Sequence, residues 1–213
     1  MVGGATAFER LVALLMAEAP AAKTLLDIGT GAGRLALALA PHCRRVVGLD
    51  RDPEVIEEAR DRARSLGVTR AEFHVLDVET LEYADFAPDL VSAHLCVSDA
   101  IIERAGRALP AGGLLAFVAF HADQWRETGR RSRFAYDEAQ AERAVTANGF
   151  TVEHIDVDRE IQAFASVEEG LAAAVSLQEK WRSDGRWFRY LDFLEKGGRT
   201  LTRSHLVCSA RRR

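Results

Sequence analysis

The chain has 213 residues, 48% of them hydrophobic, enough to bury a core that needs neither metal nor disulfide. Its 28 Lys and Arg against 32 Asp and Glu leave a formal charge of −4, the wrong balance for tracking phosphate backbones, so nucleic acid is disfavoured as a partner. Charged residues interrupt every apolar run before it reaches the roughly 18 residues of a membrane span, which argues against a transmembrane segment.

Cys43, Cys96 and Cys208 are odd in number and widely scattered. They suit neither a disulfide framework nor a zinc site, so no metal is expected and they read as small apolar side chains. The N-terminus lacks the basic, apolar and small-residue order of a secretory signal, and a cytoplasmic location is the resulting expectation.

Residues 5–17 repeat apolar positions at helical spacing and predict a helix that covers one edge of a sheet. Short β-branched or leucine-rich runs then alternate with segments of helical period. Strands are expected at 24–28, 45–49, 71–76, 89–95 and 114–120, and helices at 31–40, 53–66 and 99–109. This alternation is the pattern of βαβ units around a parallel sheet. The helix at Pro53 has Asp52 as a cap, proline in its first turn and Gly67 just past its end. Further on, 137–148 reads as a helix closed by Gly149, 150–156 as a strand, and 204–210 as a final strand after Gly197-Gly198. An Ala- and Leu-rich stretch between them predicts a helical insertion at about 166–197 within one domain, 1–213. Arg211 to Arg213 read as a solvated tail.

The chemistry concentrates at Asp27-Ile28-Gly29-Thr30-Gly31-Ala32-Gly33-Arg34, where a buried strand runs into glycines and then a helix. Glycine lets a ligand approach the backbone at such a turn, and the free amides of the first helical turn suit a carboxylate or a phosphate. Asp50 ends the next strand, 21 positions after Gly29, where an acid can accept from both hydroxyls of a ribose. These features fit a nicotinamide enzyme and a methyl transferring enzyme alike. Two details separate them. Bulky Arg34 stands where a dinucleotide fingerprint wants Gly or Ala, and Asp77 closes the third strand, placed to accept from the exocyclic amine of an adenine.

In this order, with Asp89-Leu-Val-Ser-Ala-His94-Leu95 as the fourth strand, the motifs resemble those of the class I S-adenosylmethionine-dependent methyltransferases. The resemblance covers residues 5–120 well and the remainder in outline. It implies a doubly wound, Rossmann-like α/β fold: a seven-stranded sheet with its last strand antiparallel and helices on both faces. It also implies that S-adenosylmethionine is the cofactor and S-adenosylhomocysteine the product. Asp27, Gly29, Thr30, Gly31, Gly33, Asp50, Arg51, Asp77, Val78, His94 and Leu95 are the implied cofactor residues. Asp50 would serve the ribose, Asp77 with Val78 the adenine, and Asp27 would support the turn.

Methyl transfer from a sulfonium is an in-line displacement that asks the protein mainly to align the partners and exclude water. His94, at the end of the fourth strand, and His121, just past the fifth, are the candidates for a base or acceptor contact. The fourth strand lacks the Asn/Asp-Pro-Pro-aromatic tetrad of enzymes that methylate base amines, which favours a small-molecule acceptor. Arg126, Arg130, Arg131 and Arg133, interleaved with Trp125, Phe134 and Tyr136, read either as an anion-binding segment over the site or as a solvated loop. Trp181, Trp187, Phe188 and Tyr190 read as an apolar lid or as core. The remaining alternatives are an NAD(P)-dependent oxidoreductase and a non-catalytic binding protein of methyltransferase-like fold.

Overall fold

The computed structural model describes residues 5–213; a domain boundary at residue 1 lies outside the described residues. The chain begins with helix α1 (Ala7–Ala17), then runs β1 (Thr24–Ile28), α2 (Arg34–Leu39), β2 (Arg45–Asp50), α3 (Pro53–Ser65) and β3 (Ala71–Val75). It returns through β4 (Leu90–His94), α4 (Asp99–Ala108) and β5 (Leu114–His121), followed by the two-residue β6 (Ala135–Tyr136) and α5 (Glu138–Ala147). A long β7 (Phe150–Ala163), the helices α6 (Val167–Ala174), α7 (Gln178–Asp184) and α8 (Arg186–Glu195), and a long β8 (Thr200–Arg212) complete it.

The sheet order is β3-β2-β1-β4-β5-β8-β7, with β6 beside the end of β5. Strands β1 to β5 are parallel, and β8 runs antiparallel to both neighbours, as the resemblance implied. The chain winds outward from β1 to β3 and then crosses back to β4. The carboxyl ends of β1 and β4 therefore flank the topological switch point, the place where open α/β sheets hold ligands.

Local signals explain the helix starts. Thr6 and Glu9 cap α1 reciprocally, the Thr6 hydroxyl accepting from Glu9 N at 3.2 Å and the Glu9 carboxylate from Thr6 N at 2.8 Å. Asp52 caps α3, accepting from Glu54 N at 2.9 Å. Leu11 and Leu15 of α1 are fully buried in the cluster that holds Val118 of β5 and Val207 of β8. Helix α1 thus covers a face of the sheet near β5 and β8 rather than an edge, because its apolar stripe needs the breadth of two strands.

Two further expectations are corrected. The closing arginines are structural: Arg211 forks onto Glu18 at 2.6 and 2.8 Å and onto Glu153 at 2.8 and 2.9 Å. Arg212 donates to the carbonyls of Gly106 and Gly149, each at 2.8 Å. The β7–β8 ribbon also outruns its expected limits, extending to Ala163 and restarting at Thr200. Beyond the Phe120–His205 pair β8 has β7 as its one strand partner among the described residues, and the overhang is also held by the turn after β5, where Trp125 N donates to the Thr202 carbonyl at 2.9 Å and Glu127 accepts from the Thr202 hydroxyl at 2.6 Å. Trp181 and Tyr190 are fully buried there, with Trp125 and Trp181 edge-on at 5.3 Å, while Phe188 is 65% exposed. Trp181, Trp187 and Tyr190 thus form a small core around Leu201, which Phe188 does not join.

Candidate functional site

The chain leaves β1 through Gly29, Gly31 and Gly33, all in the left-handed region at φ 63, 54 and 78°. A Cβ on Gly29 would collide with Cys96 Sγ, so that position is closed to any side chain. One on Gly31 would meet nothing within 4 Å, so the backbone there borders open space. Beneath the turn Asp27 is 2% exposed and accepts from the hydroxyls of Thr30 at 2.8 Å and Ser92 at 2.9 Å. Burial raises its carboxyl to about 6, against the pull of those hydroxyls. Asp27 and Thr30 therefore brace the turn from inside.

Asp50 reaches the turn from the end of β2. Its Oδ2 accepts from Gly31 N at 3.0 Å and its Oδ1 from Asp52 N at 3.1 Å. Asp77, exposed just past β3, accepts from Glu79 N at 2.9 Å. Both carboxylates border one cavity of about 180 Å³, with Gly29, Arg51 and Val78. Ile101, Cys96, Arg133 and Phe134 also line it, the Arg133 guanidinium 4.2 Å from the Phe134 ring centre. The arginine-aromatic segment thus divides: Arg133 and Phe134 reach the cavity, whereas Arg130 donates to the Asp184 carbonyl and Arg131 to Gln140 and the Ala135 carbonyl.

His94 and Leu95 border a second cavity of about 370 Å³, together with Phe8, Arg34, Asp158, Glu160, Arg203 and His205. The two cavities lie on either side of the segment that follows β4, Cys96 lining the first and its two preceding residues the second. Leu95 holds φ 62° just past β4, a strained setting for a branched side chain. The His94 ring stands edge-on to Phe8 at 5.4 Å, and the Arg34 guanidinium lies 3.7 Å over the other ring's centre. Burial, then the charge of Arg34 and the neighbouring His205, lower His94 to about 4, so its imidazole is neutral at pH 7.

His121 lies elsewhere. It is 4% exposed, with Nε2 3.3 Å from Glu138 and Nδ1 accepting from Asp123 N at 3.2 Å, and it borders neither cavity. Sequence reasoning passed over Cys96, His205, Arg203 and Glu160. Cys96 Sγ donates to the Ile28 carbonyl at 3.0 Å, and burial pushes its thiol up to about 12, which makes it a wall and no nucleophile. Its adjacency to His94 was the available signal. A larger hollow of about 550 Å³ opens at the opposite, amino-terminal ends of β1 to β3. Its arginines are engaged, Arg44 with Thr24 at 2.9 Å and Arg45 with Glu72, so size alone does not mark the site.

A family model described as a methyltransferase domain matches residues 20–190. An uncharacterized methyltransferase YcgJ of Bacillus subtilis is 36% identical over 76 residues, 36% of this chain and 30% of that protein. A mouse tRNA (uracil-5-)-methyltransferase homolog A is 38% identical over 76 residues, 36% of this chain and 12% of that protein. These sequence matches span less than a third of either relative. In solved structures, YcgJ superposes over 96% of this chain and 98% of its own with a TM-score of 0.73 at 18% identity. The magnesium protoporphyrin IX methyltransferase of Synechocystis, solved with bound S-adenosylhomocysteine, superposes over 97% and 81% with a TM-score of 0.65 at 16% identity. The match with the family model and the strand order agree, and the chain belongs to the methyltransferase domain family, with the class I S-adenosylmethionine-dependent fold.

Proposed function

We propose that this protein transfers a methyl group from S-adenosylmethionine to a small-molecule acceptor. The observation that carries the reading is the first cavity, where Gly29, Asp50, Asp77 and Val78 meet at the carboxyl ends of β1 to β3. Its chemistry fits the adenosyl part of the cofactor. Asp50 offers carboxylate lone pairs to ribose hydroxyls, Asp77 offers them to the adenine amine, and Val78, Ile101 and Phe134 supply apolar surface for the purine faces. The open space at Gly31 leaves room for the rest of the molecule along the glycine backbone.

When bound, S-adenosylmethionine supplies a sulfonium methyl whose carbon–sulfur bond breaks as the acceptor attacks in line. The protein's own task is alignment and the exclusion of water. Asp50 and Asp77 would hold the adenosyl end, and Leu95 and Cys96 stand between the first cavity and the second one. A neutral ring nitrogen of His94 is available there to hold the proton of a hydroxyl or amine acceptor. Among the described residues no helix is long and apolar enough to cross a membrane.

The test is calorimetry with S-adenosylmethionine and S-adenosylhomocysteine, followed by labelled methyl incorporation from a fractionated metabolite extract. Binding of both cofactor forms and label in a low-mass fraction are expected. Absence of heat with either form, or binding of a reduced nicotinamide instead, would overturn the reading.

A further inference from the structure

The second cavity has a polarity that points to a substrate class. It lies between the amino-terminal turns of α1 and α2, the end of β4 and the overhanging β7–β8 ribbon. Register places Asp158 opposite His205 and Glu160 opposite Arg203, so all four side chains project from one face of the ribbon into the space beside His94. At about 370 Å³ it exceeds the roughly 150 Å³ that encloses a benzene ring, so a substituted ring or a molecule of similar bulk fits.

The charges within it are unequally satisfied. Asp158 is committed: it accepts from Ala7 N at 3.2 Å and pairs with Arg10 at 3.4 Å. Arg34 and Arg203 make no hydrogen bond or ion pair among the described residues; Arg34 rests on the face of Phe8, with the Glu9 carboxylate near enough to feel its charge. Glu160 is the one carboxylate of the cavity left without such a partner among the described residues, and the strand register sets it opposite Arg203. A guanidinium presents a planar fork of donors that matches a carboxylate, and a pair of them at the rim of a cavity favours an anion inside it.

We propose that this cavity is the acceptor site and that it takes a small acceptor bearing a carboxylate, clamped by Arg34 and Arg203, with its nucleophilic atom turned toward the end of β4. The proposal rests on the methyltransferase reading, because it is the cofactor's place in the first cavity, one residue along the chain from Leu95, that makes the second an acceptor site. Phe8 and His94 form the wall against which the acceptor lies. Glu160 is left to receive a hydrogen bond from a hydroxyl or amine elsewhere on the same molecule.

The experiment uses the full chain saturated with S-adenosylhomocysteine and two probes of equal shape, 4-hydroxybenzoate and 4-hydroxybenzamide. Calorimetry reads their affinities, and the imidazole resonances of His94 and His205 locate them. The acid is expected to bind at least ten times more tightly than the amide and to shift both imidazole signals. Arg203→Gln and Arg34→Gln, each removing an exposed side chain with no hydrogen bond to lose, are expected to bring acid and amide to near equality. Equal binding of the two probes by the unaltered chain, no binding of the acid at millimolar concentration, or binding that leaves both imidazole signals in place would overturn the assignment. Failure of S-adenosylhomocysteine to bind at the outset would overturn the methyltransferase reading instead, so the two failures are distinguishable.

Discussion

Asp50 Oδ2 accepts a hydrogen bond from Gly31 N at 3.0 Å, tying the end of β2 to the glycine turn that follows β1. One carboxylate thus shapes the turn and keeps further lone pairs for a ligand. Asp50→Asn preserves an oxygen for Gly31 but removes the charge from the ligand's hydrogen bonds. It is expected to weaken S-adenosylhomocysteine by about tenfold with little change in folding. Asp50→Ala removes both and is expected to weaken binding more. Calorimetry paired with urea unfolding separates the two effects.

Gly29→Ala tests the closed side of the same turn. The new methyl meets Cys96 Sγ and the position carries a left-handed φ, so a loss of about 1–3 kcal/mol in stability is expected, with cofactor binding abolished. Adding Cys96→Ala relieves the collision but not the backbone strain. The double variant should therefore recover part of the stability lost by Gly29→Ala, measured by chemical denaturation.

Two buried groups impose opposite pH dependences on folding. Asp27 is raised from 3.8 to about 6, so the folded state holds its proton more tightly and stability falls as pH rises through that window. His94 is lowered from 6.5 to about 4, so the unfolded chain binds the proton more readily and stability rises as pH climbs from 4 to 6.5. Full expression of the Asp27 shift is worth about 3 kcal/mol, and the more accessible His94 contributes less. Between pH 4.5 and 6 the unaltered protein should show a shallow slope. Asp27→Asn is expected to turn it into a rise with pH, and His94→Gln to deepen the fall, both read from urea midpoints across that range.

Much of the parallel half was legible because its signals are local. Asp52, Pro53 and Gly67 bracket α3, and buried runs such as 24–28 are apolar enough to mark themselves. The residues around the first cavity were legible for the same reason: a turn that needs glycine, and acids at strand ends, announce themselves by spacing. The ribbon overhang was not. Asp158, Glu160 and Arg203 lie on exposed, charge-rich strand segments whose pairing is satisfied by each other's backbone and leaves no apolar alternation to read. Arg211 likewise looked like a tail, since nothing local shows that Glu18, 193 positions away, waits for it. His121 sits at the end of a strand as its position suggests, but its ring faces Glu138 and the Asp123 amide rather than either cavity, which only the fold shows.

That distant pair carries its own prediction. Arg211, against the cost of burial and with help from Lys23, holds the Glu18 carboxyl at about 2. A lowered carboxyl contributes stability above 4.5 that is lost as pH falls toward 2. Glu18→Gln is expected to cost about 1–3 kcal/mol at pH 7 by leaving part of Arg211 unpaired, and the deficit should shrink as pH drops below 4.5. Urea unfolding at pH 7 and pH 3.5 checks both parts.

The most direct measurement is a crystal structure of the complex with S-adenosylhomocysteine. The account predicts ribose hydroxyls on Asp50, the adenine amine on Asp77 with Val78 and Phe134 against the purine, and the sulfur facing the end of β4. An adenosyl group seated elsewhere, with Asp50 and Asp77 free of it, would contradict the account.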